Sequence, residues 1–111
     1  MGSSFSQHPY SQVVEFAVEA QHKLELINAL MARDECLTST WPGFISSSVH
    51  ASEDGRRVLH QVLWRSRPQC DDAKTKVDSS DLDLHALMRR YRATSATFGS
   101  FQVMGQVTAR P

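Results

Sequence analysis

Neither sign of charge dominates this sequence: twelve lysines and arginines stand against twelve aspartates and glutamates in 111 residues. A balanced chain lacks the basic excess that nucleic acid or an anionic membrane surface selects for, so neither is expected as a partner. Long apolar runs are missing too, and none approaches the roughly 20 residues of a membrane-spanning helix. No secretory hydrophobic region opens the chain, so a cytoplasmic protein is expected. Cysteine is scarce. Cys36 and Cys70 are the only two, and neither stands in a CxxC or other metal spacing; both are expected as free thiols. The GxGxxG, P-loop, HExxH and GxSxG patterns are absent. The five histidines, at 8, 22, 50, 60 and 85, show no short ligand spacing, which argues against a structural zinc site. Chemistry here, if there is any, is expected to need no motif-bound cofactor or metal.

What is present is a strong hairpin signal. The stretch PGFISSSVHASEDGRRVLHQVLW, residues 42–64, holds a turn, an alternating run, an Asp54-Gly55 turn and a second alternating run ending in Trp64. Apolar-polar alternation on either side of Asp-Gly is the best short-range mark of a β-hairpin. Side chains of a strand alternate between faces, so His60, Val62 and Trp64 share one of them. An imidazole in line with an indole suggests a lined pocket.

The length fits a single domain, expected over residues 11–109 after a loose polar arm at 1–10. The opening MGSSFS formally fits a myristoylation pattern at Gly2 and Ser6, and is expected to be a chance match or a cloning remnant. Gln12–Ala20 reads as a strand. Leu24, Ile27 and Met31, with Leu26 and Leu30 beside them, follow helical spacing, and Lys23, Arg33, Asp34 and Glu35 fill the remaining positions. Pro42 and Gly43 end that helix before the hairpin. Ser66 is a plausible N-cap, with Pro68 in the first turn of a short helix over 67–76. A second helix capped by Ser79 or Ser80 would run to Arg92, with Asp81 and Asp83 at its start and Arg89, Arg90 and Arg92 at its end, an order that suits the helix dipole. Ala96–Thr108 reads as a last strand whose glycines mark close packing.

The order β-α-β-β-α(α)-β predicts an α+β, ferredoxin-like fold: a four-stranded antiparallel sheet with helices on one face. The other face would carry Leu59 and Leu63, an apolar patch best covered by a second copy in a two-fold homodimer.

Among candidate site residues, His60 leads, because an imidazole changes charge near neutral pH. The plain alternative is a satisfied strand histidine. Trp64 offers a flat apolar wall and one N–H donor, or is simply core. His50 shares its strand phase with Ser46 and Ser48, but Phe44 belongs to that phase too, so its facing is open. His22 and His85 read as solvated or capping residues, and the three arginines at 89, 90 and 92 as a solvated end turn. Cys70, at a helix start, is either activated by the helix N-terminus or buried and inert.

Gln21–Leu24 (QHKL), the PGF at 42–44, the HASEDG at 50–55 and the strand ending Trp64-Arg-Ser together resemble the antibiotic biosynthesis monooxygenase family. They are most similar to the cofactor-independent, actinorhodin-type anthrone monooxygenases of aromatic polyketide pathways, over residues 12–108. The resemblance implies a dimeric α+β barrel with a pocket between sheet and helices. It implies oxidation of an anthrone-like phenol to a quinone by molecular oxygen, without metal or flavin. Carried over by position, the family tryptophan is matched by Trp64. The asparagine four residues before it is His60, a tyrosine before the hairpin turn is Val49, and another after the tryptophan is Cys70. His60 and Trp64 are thus the catalytic candidates; the resemblance offers Val49 and Cys70 as substrate contacts, and strand phase alone adds Val62 and His50. A small aromatic substrate would be the ligand. A haem-degrading branch of the same fold needs a first-strand asparagine and a later tryptophan–histidine pair, neither of which stands here. The lost tyrosines leave a second class open: a non-oxidative cyclase, isomerase or ligand-binding accessory protein using the same pocket.

Overall fold

The computed structural model describes residues 8–77, 88–90 and 92–110. Strand β1 (Tyr10–Ala17) is followed by a 3-10 turn (Ala20–His22), helix α1 (Lys23–Cys36) and a second 3-10 turn (Thr38–Thr40). Strands β2 (Phe44–Ala51) and β3 (Arg57–Trp64) form the hairpin, and helix α2 (Arg67–Val77) and strand β4 (Ser95–Gln102) complete the fold. The sheet order is β2-β3-β1-β4, with every pairing antiparallel. This is the expected ferredoxin-like arrangement.

Local chemistry explains most boundaries. Trp41-Pro42-Gly43-Phe44 closes a turn through a 3.2 Å bond from Phe44 N–H to the Trp41 carbonyl, and Gly43 takes φ +87° at the position where a type II turn requires a positive value. A methyl group there would also come within 2.6 Å of the Gln69 side chain. In the hairpin loop Asp54 accepts from the Ser52 hydroxyl at 2.6 Å and the Arg56 N–H at 3.0 Å, and Gly55 supplies φ +74°. Ser66 caps α2, its hydroxyl accepting from the Gln69 N–H three residues on and donating to the Gln69 side-chain carbonyl at 3.1 Å.

Several expectations shift. The first strand begins at Tyr10 rather than Gln12 and ends at Ala17, and the last ends at Gln102; residues 103–110 continue without regular structure. Of the two final-strand glycines within reach of the close-packing expectation, Gly99 lies under the Phe101 ring, whereas Gly105 has open space around it. The expected helix from Ser79 to Arg92 lies mostly outside the described residues. Its end is visible: residues 88–90 are helical, and the Ala93 N–H bonds back to the Met88 carbonyl at 3.0 Å past Arg92 at φ +56°, a left-handed helix stop.

Helix α1 is rotated relative to the expected stripe. Leu26 and Leu30 are fully buried, while Leu24 is 65% exposed and Met31 38%. The inward face therefore runs Leu26, Leu30, then Arg33 and Asp34, which are buried rather than solvated. The core has two apolar clusters. Val14, Phe16, Val18, Leu26, Leu30 and Val58 form one beneath α1. Tyr10, Val62, Trp64, Cys70 and Ala73 form the other beneath α2, with Trp41 and Phe44 against it.

Candidate functional site

Directly opposed residues of an antiparallel pair share a face, so the register lays out the helix-covered side in rows. One row runs Phe44, Trp64, Tyr10, Gln102; the next Ser47, Val62, Gln12, Ser100; the third Val49, His60, Val14, Phe98. His60 thus lies between Val58 of the first apolar cluster and Val62 of the second, at the join. It is 2% exposed.

The group that meets it there is Asp34, from the last turn of α1. His60 Nε2 and Asp34 Oδ2 are 2.7 Å apart, and Asp34 is 3% exposed. A buried charge this short of solvent must be paired. Burial pushes the Asp34 carboxyl up, but the hydrogen bond and charge of His60 outweigh it, helped by the Ser47 and Thr38 hydroxyls; the net shift is below the usual carboxylate range. The carboxyl is therefore ionised at neutral pH. Its other oxygen, Oδ1, makes no hydrogen bond of good geometry among the described residues, and neither does the Thr38 hydroxyl. Arg33 Nη1 stands 3.6 Å from Oδ1, an ion-pair distance beyond that of a hydrogen bond.

Trp64 ends the strand two rows on, about 13 Å from His60 by strand rise. Its indole N–H donates to the Gln12 side-chain carbonyl at 3.3 Å, and Phe44 packs edge-on to it at 6.0 Å and 89°. Trp64, Val62 and Cys70 are all buried, the cysteine on α2 within the same cluster. Val49 is half-buried on the helix side opposite His60. Towards β4, Phe98, two strands from His60 in the same row, is 55% exposed. A groove of Ala17, Val18, Glu19, Ala20, Asp54, Arg56, Arg57 and Thr94 lies at the other end of the sheet, away from these residues.

His50 does not join them. A register shift between Phe44 and Ser46 places one extra residue in β2, so Phe44 stays on the helix side with Trp64 while Ser46, Ser48 and His50 turn to the opposite face. His50 pairs with Leu59 there and is exposed. The bulge is what the phase ambiguity of the strand concealed. Asp34 and Gln12, conversely, escaped the sequence reading. Asp34 lies four residues beyond Leu30, so extending the buried stripe by one turn would have found it; Gln12 lies two residues before Val14 on the inward face of β1.

Both cysteines are free thiols. Among the described residues no group of three or more potential ligands could hold a metal ion, and no helix is long and apolar enough to cross a membrane.

Comparison with known proteins places this geometry in a wider set. No protein-family model matches the sequence. Tetracenomycin-F1 monooxygenase of Streptomyces glaucescens is 35% identical over 57 residues, 51% of this chain and 51% of that protein; the match therefore spans about half of each. A monooxygenase from the ActVA-Orf6 gene of Streptomyces coelicolor, solved with nanaomycin D, superposes with TM-score 0.75 at 18% identity, over 93% of this chain and 94% of that one. SnoaB, a cofactor-independent oxygenase from Streptomyces nogalater, gives 0.70 at 12% identity, over 92% and 99%. At these identities the structures establish the fold, which is the one the family resemblance implied.

Proposed function

We propose that the protein is a cofactor-independent monooxygenase that oxidises a planar, phenolic, anthrone-like polycycle to a quinone with molecular oxygen. The observation that carries this reading is the buried His60–Asp34 pair on the same strand face as Trp64, in a fold shared with oxygenases that include a cofactor-independent one. An anthrone methylene flanked by aromatic rings is acidic enough for an imidazole to deprotonate, and the resulting enolate is electron-rich enough to reduce oxygen unaided.

The steps balance: a methylene and a dioxygen molecule give a carbonyl and a water, one oxygen atom going to each product. His60 takes a proton from the methylene, and the enolate passes an electron to oxygen. The radical pair then combines into a peroxide, the imidazolium returns its proton, and water leaves as the carbonyl forms. Trp64 supplies an apolar wall, and a site closed from water protects the reactive pair. Gln12, whose carbonyl already holds the indole, and the exposed Phe98 and Ser100 extend the same face beside His60. The span of about 13 Å between His60 and Trp64 suits a linear fused-ring substrate. Both side chains retain 2% of their surface, so contact with substrate requires neighbouring side chains to give way.

The opposite sheet face carries Leu59, Leu63, Val13 and the 57%-exposed Phe101. It is the surface for a second copy, and the functional unit in this reading is a homodimer. A non-oxidative cyclase or isomerase is the second reading, favoured by Val49 and Cys70 standing where the resembling enzymes carry tyrosines.

Oxygen uptake with dithranol, a simple anthrone, tests the proposal. The wild-type protein is expected to consume oxygen and form the quinone faster than the spontaneous reaction, and His60→Ala to lose about 100-fold or more of that gain. Turnover of a polyketide substrate that proceeds equally well under nitrogen would transfer the site to the cyclase reading.

A further inference from the structure

An ionised carboxylate has no proton to give, so the 2.7 Å contact at Asp34 Oδ2 requires His60 Nε2 to carry the hydrogen. A neutral imidazole has one N–H, and the lone pair must then stand on Nδ1. We propose that Asp34 is a positioning residue: it holds His60 in the Nε2–H tautomer and fixes the ring, making Nδ1 the atom that accepts the substrate proton. This rests on the reading of His60 as the base.

The arrangement around the pair favours that role. Asp34 comes from α1 and His60 from β3, so the hydrogen bond ties helix to sheet where the two apolar clusters meet. The ring's row neighbours on the sheet are Val49 and Val14, neither able to compete for a ring nitrogen. Of the charged groups on the described elements packed there, Asp34 and Arg33 face the join, both from α1, and Arg33 lies toward the other carboxylate oxygen. When Nδ1 takes the proton, the imidazolium forms beside a carboxylate already in place, so no buried charge appears unpaired. The proton leaves the substrate carbon, resides on Nδ1, and returns to the peroxide.

The tautomer can be read without any substrate. In a long-range 1H–15N spectrum of uniformly labelled protein, the neutral ring is expected to show a bare Nδ1 and a protonated Nε2. Asp34→Asn, whose amide can either accept or donate, should lose that preference. In dithranol-dependent oxygen uptake the same variant should lower kcat by about 100-fold with KM little changed, and Asp34→Glu should restore part of it. A protonated Nδ1 in the wild-type protein overturns the proposal, and this result needs no variant to fold. An Asp34→Asn protein with unaltered tautomer and kcat overturns it as well. If instead His60→Ala keeps full oxygen uptake while the tautomer is as expected, the base reading fails and the pair is structural.

Discussion

Alternate side chains of β3 meet opposite fates. Val58, His60, Val62 and Trp64 are each 2% exposed or less, closed over by helices of the same chain. Leu59, Gln61 and Leu63, one position out of phase, are only half-buried, although two of them are as apolar as anything in the core. The Gln61 amide donates to the Ser11 hydroxyl at 2.8 Å and Phe101 lies over Gly99, but no helix of the described chain covers them. The covered face is where the chain tolerates a polar pair, because there the partner is guaranteed by the fold. The uncovered face is finished only by something else, which in our reading is a second copy.

Three experiments sharpen that contrast. The largest effect belongs to the buried pair: His60→Ala removes the hydrogen-bonded partner of the Asp34 carboxylate, and urea unfolding should show a loss of about 3–5 kcal/mol. Gln61→Ala, on the same strand but the other face, should cost about 1 kcal/mol, as for a neutral hydrogen bond. Equal losses would remove the distinction between the faces.

The second is an acid titration of the covered face. Asp34 has its carboxyl held below the ordinary value of 3.8. A depressed folded pKa contributes stability that is complete above the unfolded value and is lost as pH falls through the folded one. The stability gap between wild type and Asp34→Asn should therefore persist from pH 7 to about 5 and narrow below about pH 4. A gap that stays constant to about pH 2.5, well under the unfolded carboxyl value, would show that the carboxylate's charge contributes nothing to the fold.

The smallest effect on the chain itself is expected at Leu63. Leu63→Lys should cost the isolated protomer no more than about 0.5 kcal/mol while sedimentation shifts from dimer to monomer. A variant that stays dimeric would take this face out of the interface.

How much of this was legible in advance depended on the range of the interaction. The hairpin could be read because Asp54-Gly55, Pro42-Gly43 and the alternation of β3 act between neighbours in sequence. The Ser66 cap could be read for the same reason. The facing of His50 could not, since one bulged residue near Ile45 reverses the phase of all that follows, and nothing in the local sequence marks it. Nor could the rotation of α1: Leu24, Ile27 and Met31 are as apolar as Leu26 and Leu30, and only the shape of the sheet beneath decides which are buried. Nothing local marked Asp34 as buried, because its partner lies 26 residues away.

Local chemistry in the sequence alone therefore determined the element order, the hairpin with its turns, and the common face of His60, Val62 and Trp64, because backbone geometry and period-two alternation are properties of neighbouring residues. Tertiary structure alone decided that His60 meets a carboxylate, that His50 does not meet His60, and that one face of β3 is closed. Those outcomes depend on how a helix is rotated over a sheet, and that rotation is set by packing among residues far apart in the chain.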